Sequence, residues 1–150
     1  MAFRNNPYSA FKFTVKLGDL SEDGFAGGFS DVSGLANDVK YAEYRNGNES
    51  DNHPRKIPNT NTVDDVTLKR GVIGDLRLFT WLKDTREGRF QPRTIVITLH
   101  DEQGTQVCSW TLLAAQPKKW VGPTLAGKGG TDVAMEELHL VAEQIEFQSL

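Results

Sequence analysis

From Tyr8 to Leu17 apolar and polar residues alternate: Phe11, Phe13, Val15 and Leu17 fall on one side, Lys12, Thr14 and Lys16 on the other. A period of two predicts a half-buried strand. A turn cluster follows over 18–24, rich in Gly, Asp and Ser. A weak strand is predicted over 25–32, with a bulge where Gly27 and Gly28 interrupt it. Further strands are predicted over 39–45 and 63–69. Between these two, residues 46–62 are polar and rich in Asn, Gly and Pro. They read as an extended loop or arm, longer than the ~12–15 residues usual in a compact domain.

After Gly74-Asp75 the period changes. Leu76, Phe79 and Leu82 or Lys83 recur at helical spacing, and Leu78 and Trp81 widen the apolar stripe. Asp75 suits the positive end of this helix, and Arg86 with Gly88 the other end. Ile95, Ile97 and Leu99 predict a strand, joined by the tight turn Asp101-Glu102-Gln103-Gly104 to a partner over 107–113. Residues 116–130 read as loop. Val133 to Phe147 reads as a strand with a bulge near Val141, where the parity of apolar positions shifts. Seven strands and one helix make a mainly β chain, a sandwich or barrel with a flanking helix.

The length of 150 residues fits one domain, 1–150, and a core that needs no staple. Hydrophobic residues are 38% and charged residues 25%, which is neither a disordered nor a membrane composition. The net charge of -3 argues against a basic nucleic-acid binder. Cys108 is the single cysteine, so no intramolecular disulfide or Cys-rich zinc site can form. The first residues lack the apolar core of a secretory signal, and no run approaches ~18 apolar residues. Cytoplasmic synthesis without a membrane anchor is therefore expected.

Candidate chemistry is thin. His53, His100 and His139 lack metal-ligand spacing. Gly122, Gly127 and Lys128 match half of a phosphate-binding loop, but Gly129 stands where Ser or Thr would hold magnesium. The pairs Asp64-Asp65, Asp101-Glu102 and Glu136-Glu137 are adjacent, so on strands they point to opposite faces and make no dyad. Cys108 reads as a small half-buried apolar residue, and the Asn48-Glu49-Ser50 sequon as incidental. No catalytic constellation, cofactor site or metal site is expected.

An ordered set of short motifs carries more. These are Asn6-Pro7-Tyr8 before Phe11 and Phe13, Phe29-Ser30-Asp31-Val32-Ser33-Gly34-Leu35, Tyr44-Arg45-Asn46-Gly47 and Arg55-Lys56-Ile57-Pro58. Val66-Thr67-Leu68-Lys69-Arg70-Gly71 follows, then Trp81, Asp101, Gly104, Trp110, Pro117, Lys119-Trp120, Pro123, Leu125 and the run from Val133 to Leu138. In this order they resemble the tail-tube proteins of contractile phage tails and of phage-tail-like contractile injection systems.

The resemblance implies two packed antiparallel sheets with a flanking helix and no enzymatic activity. It implies homohexameric rings, with strands of each subunit continuing a closed β-barrel, stacked into a tube that sheath contraction drives through a target envelope. Implied partners are further copies, a contractile sheath, baseplate and spike proteins, and a luminal cargo or tape-measure protein, without specific nucleic-acid binding. The mature place is a phage tail or an injection particle. The arm over 46–62 suggests inter-subunit or inter-ring contacts at Arg45, Arg55 and Lys56, with Asp64 or Glu136 as acidic partners. Lys40, Glu43, Asp65 and Thr67 are candidates to face the lumen. Two other readings stand beside this one: a soluble β-sandwich that binds a ligand through its glycine-rich loops, and a baseplate-proximal tube initiator of the same family.

Overall fold

The alternating segment near the N-terminus forms β1 (Phe13–Leu17), with Val15 and Leu17 fully buried, as its period demands. The computed structural model describes residues 4–18, 28–48, 53–127, 129 and 133–150. β1 pairs antiparallel with β6 (Arg93–His100), setting Val15 opposite Ile97 and Leu17 opposite Ile95. The turn after β6 is fixed by Asp101, whose Oδ1 accepts the main-chain N–H of Gln103 and of Thr105, each at 2.9 Å. Gly104 takes φ +88 there, a conformation that costs glycine little.

The turn leads into β7 (Gln106–Val121), which belongs to two sheets. Its first half lies between β6 and β9 (Gln144–Ser149). Its second half, from Gln116, pairs with β8 (Met135–Val141). At the switch Ala114 sits at φ 53. An L-residue in that left-handed region costs roughly 1–2 kcal/mol. β8 pairs with β5 (Val66–Gly71), and β5 with β2 (Asp31–Ser33), so the strand order is β1-β6-β7-β8-β5-β2 with β9 on β7. One core joins the two halves: Val15, Leu17, Ile95, Ile97 and Leu112 from the first, Val66, Leu68, Leu138 and Leu140 from the second.

The helix α1 (Arg77–Arg86) adds Leu78 and Trp81 to that core. The Trp81 indole N–H donates to the Gln91 carbonyl at 3.1 Å, so its buried polar atom is satisfied. The stripe centred on Leu76 and Phe79 is corrected: both are exposed, and the residues expected only to widen it face inward. Asp75 holds the start of α1, its Oδ1 accepting the Arg77 main-chain N–H at 3.0 Å.

Other expectations shift too. The arm over 46–62 is partly strand: β3 (Asn37–Tyr44) pairs with β4 (Arg55–Val63) as a separate two-stranded ribbon. Residues 116–121, expected as loop, continue β7, and the single strand over 133–147 is two strands, β8 and β9. The parity change near Val141 marks the turn between them, where Glu143 N–H donates to the Leu113 carbonyl. Of the weak strand over 25–32 only its end is seen, in β2; residues 25–27 and 19–24 lie outside the described residues.

A charged pair sits in the core rows of the second half. Val66, Leu68 and Arg70 share one face of β5, and Glu136, Leu138 and Leu140 face them from β8. Arg70 is 1% exposed and Glu136 5%. Arg70 Nε donates to Glu136 Oε1, and Arg70 Nη2 to the Asp75 carbonyl at 3.1 Å. The other carboxylate oxygen accepts the Trp120 indole N–H from β7 at 3.1 Å. Glu136 was expected among surface contacts; its carboxylate is instead consumed inside the subunit.

Removing one partner of such a pair strands a buried charge. Glu136→Ala is expected to cost roughly 3–5 kcal/mol in urea unfolding, while the double change Arg70→Met with Glu136→Leu recovers most of that loss. Asp75 offers a second measurement. Chiefly through the Arg77 side chain, its carboxyl is held at about 2 against an ordinary 3.8. A depressed folded value adds stability above about pH 4 and loses it as pH falls through about 2, a contribution of roughly 2 kcal/mol. Asp75→Asn should destabilise at neutral pH, and its difference from the parent should vanish in acid.

Candidate assembly surface

The β3–β4 ribbon is the most exposed part of the described structure. Every residue of β3 is exposed, and every residue of β4 but Val63. Cross-strand partners share a face. The register therefore puts Tyr41 with Pro58 on one face, beside Val39, and Ala42 with Ile57 on the other, beside Tyr44. Both faces have an apolar centre, and neither is covered by described residues. An isolated two-stranded ribbon is marginal in water, so this one calls for a partner.

The ribbon leaves the sandwich where β2 ends and β5 begins. Asp64 N–H donates to the Ala36 carbonyl at 3.2 Å, closing its root. Gly34, at φ +87, lies against the main chain of the same link: a Cβ there would stand 2.1 Å from the Asp65 carbonyl oxygen. That contact requires glycine.

The sheet has open edges as well. Among the described residues β1 pairs only with β6, and β9 only with β7. The inward-facing side chains at both edges remain uncovered: Phe147 on β9 is 64% exposed, and Phe11, just before β1, is 67% exposed. Unpaired edges of this kind invite a further strand. The face of this half turned away from the core is polar. The registers align Thr14, Thr98, Ser109 and Gln148 in one row, and Lys16, Val96, Thr111 and Glu146 in the next.

The expected contact residues separate. Arg45 and Arg55 lie by the ribbon turn and are exposed. Lys56 pairs with Glu43 across the ribbon at 3.3 Å, an exposed pair worth ~0–1 kcal/mol. Asp64 is exposed at the ribbon root, and Asp65 beside it pairs with Lys118 at 2.5 Å. Lys40 and Glu43 are on the ribbon, whereas Thr67 is on the outer face of the other half, 3.1 Å from His139 Nδ1. The four positions expected to face the lumen thus occupy no common surface. Sequence reasoning missed the open β9 edge, although the alternation Ile145, Phe147 against Glu146, Gln148 carried its signal.

Elsewhere several charges are satisfied locally. Arg4 holds Glu102 with two hydrogen bonds of 3.0 and 3.1 Å, which keeps that carboxyl at about 2 against an ordinary 4.5. Lys69, at 3.3 Å, and then His139 draw Glu137 below the usual carboxylate range. Burial pushes the Cys108 thiol up, away from thiolate chemistry. The described residues between Gly122 and β8 form no helix, and Lys128 and Gly130 lie outside the described residues, as do Glu49 and Ser50 of the sequon. Among the described residues no cluster of His, Cys, Asp or Glu could hold a metal, and no helix is long and apolar enough to cross a membrane.

A family model described as T4-like virus tail tube protein gp19 matches residues 9–146. No curated protein matches in sequence. Among solved structures, the chain is similar to one from the sheath–tube complex of PVC, an extracellular contractile injection system, in its extended state. The two share 26% identity over 97% of this chain and 94% of that one, with a TM-score of 0.84. It is similar to one from the tube-terminating cap of the anti-feeding prophage, at 25% identity over 100% of this chain and 95% of that one, TM-score 0.84. Hcp1 from Flavobacterium johnsoniae shares the fold at 11% identity, TM-score 0.58, over 90% of this chain and 93% of that one.

Gly34→Ala tests the ribbon root. It should destabilise the chain by at least 1–3 kcal/mol, through the clash with Asp65 and the strain of φ +87. Protease cleavage should rise first within the ribbon, read by mass spectrometry of the earliest fragments.

Proposed function

Because the chain belongs to the T4-like virus tail tube protein family, we propose that it forms homohexameric rings that stack into the inner tube of a contractile injection system or contractile phage tail. The observation that carries this reading is the pair of open edges on one four-stranded half. In the order β1-β6-β7-β9 neighbouring strands alternate in direction, so a head-to-tail repeat sets β9 of one copy antiparallel to β1 of the next. Phe147 and Phe11 would then meet on the covered face. Closing such a repeat into a ring pairs both of these edges.

In that ring the outer face of this half turns to the lumen, with Gln148 exposed there, Thr14 half-buried, and Thr98 and Ser109 nearly covered between them. The next row of that face adds one charge of each sign, Lys16 and Glu146, so the lumen carries little net charge from these two rows. The ribbon, apolar on both faces, inserts between neighbouring copies, and Arg45, Arg55 and Asp64 supply polar contacts at its two ends. Rings so joined make a rigid tube within a sheath, attached to a baseplate and spike, which conducts cargo or a tape-measure protein and needs no catalysis. The likeness to a tube-terminating cap favours a second reading, a subunit at one end of the tube.

Negative-stain microscopy of the purified chain separates these readings. Stacked hollow tubes are expected for the main reading and single rings for the terminal one, while a persistent monomer overturns both. Phe147→Asp should abolish rings and leave the monomer folded, judged by circular dichroism and by an unchanged unfolding midpoint within about 1 kcal/mol. Intact rings in that variant would remove the β9 edge from the proposal.

A further inference from the structure

The turn of the ribbon carries chemistry that tube building does not use. Of the eight asparagines in the chain, Asn46 alone precedes a glycine. Gly47 is exposed, and a Cβ placed on it would meet nothing within 4 Å among the described residues, so neither a side chain of its own nor packed neighbours crowd its Cα. Tyr44 Oη donates to Asn46 Oδ1. A nucleophilic nitrogen, an adjacent amide carbon and a donor on that amide's oxygen are thus brought together at the turn between β3 and β4.

We propose that Asn46-Gly47 is a self-modifying site, at which the Asn46 side chain converts to aspartate and isoaspartate without an enzyme. The Gly47 main-chain nitrogen attacks Asn46 Cγ and forms a C–N bond. Charge develops on Oδ1, where the Tyr44 hydroxyl stabilises it as an oxyanion-hole donor does. The side-chain nitrogen takes up the proton that the Gly47 nitrogen gives up and leaves as ammonia. A five-membered succinimide remains. Water opens it at one carbonyl to give aspartate, or at the other to give isoaspartate, whose main chain is longer by one methylene. One water enters, one ammonia leaves, and nothing is oxidised or reduced.

Four of the other seven asparagines are placed against this chemistry. Asn6 precedes Pro7, which has no N–H. Asn37, Asn59 and Asn61 lie inside β3 and β4, where the ladder holds the main chain extended and the following residue carries a side chain. The product places a new carboxylate next to Arg45, with Arg55 on the facing strand opposite Tyr44. The ribbon turn then gains one negative charge, whether or not the ribbon joins copies of the chain.

The test is peptide mapping of the folded full-length chain held at neutral pH and sampled over weeks, with isoaspartate resolved from aspartate by chromatography. Conversion should concentrate at Asn46, with isoaspartate the larger product. Gly47→Ala should slow it at least tenfold and Tyr44→Phe several-fold. Tyr44 is exposed, so Tyr44→Phe keeps the fold, which circular dichroism checks. Conversion spread evenly over the asparagines, or an Asn46 rate unchanged in Tyr44→Phe, would overturn the proposal.

Discussion

The Arg70–Glu136 pair sets the second half of the sandwich. A buried carboxylate tolerates few positions, because each of its oxygens must find a donor. Arg70 from β5 meets one oxygen and Trp120 from β7 the other, so three neighbouring strands are tied at one point. The same guanidinium reaches the Asp75 carbonyl ahead of α1, and Phe79 of α1 lies edge-on to Trp120 with ring centroids 5.2 Å apart. A slip of β8 by one residue would turn Glu136 outward and leave both donors buried without it. The pair thus discriminates among registers that apolar packing alone would rank closely, and it places the helix on the sheet.

What this core leaves uncovered is of one kind. The ribbon exposes apolar residues on two faces, and the edges at β1 and β9 expose aromatic rings beside unpaired main chain. Several charged side chains elsewhere are matched within the subunit: Arg4 to Glu102, Lys69 to Glu137, Lys118 to Asp65. Apolar surfaces and strand edges left open describe a chain whose neighbours complete it. The match over residues 9–146 to a tail tube family agrees with that reading.

Much of the fold was legible where burial imposes a period. β1, β5, β6, the first half of β7 and α1 follow from alternation or helical spacing. Legibility failed where the physical cause of the period was missing. β4 faces solvent on both sides, so it shows no alternation, and Pro58 with its asparagines looks like loop. The second half of β7 was hidden because Ala114 breaks the parity and Pro117 with two lysines imitates a turn. Glu136 was misplaced because a charge was read as a surface residue. The signal was its parity with Leu138 and Leu140, matched by that of Arg70 with Val66 and Leu68.

The shared strand has a mechanical consequence. In most sandwiches a load on one sheet passes to the other through side-chain contact, which yields by sliding. Here β7 runs through both, from Gln106 to Val121, so thrust on one layer reaches the other along covalent main chain. The left-handed residue at Ala114 is the elbow of that strut. Hydrogen bonds on either side of it are loaded in shear, many at once, rather than peeled in turn. A load along β7 therefore crosses between the layers without relying on side-chain contact alone.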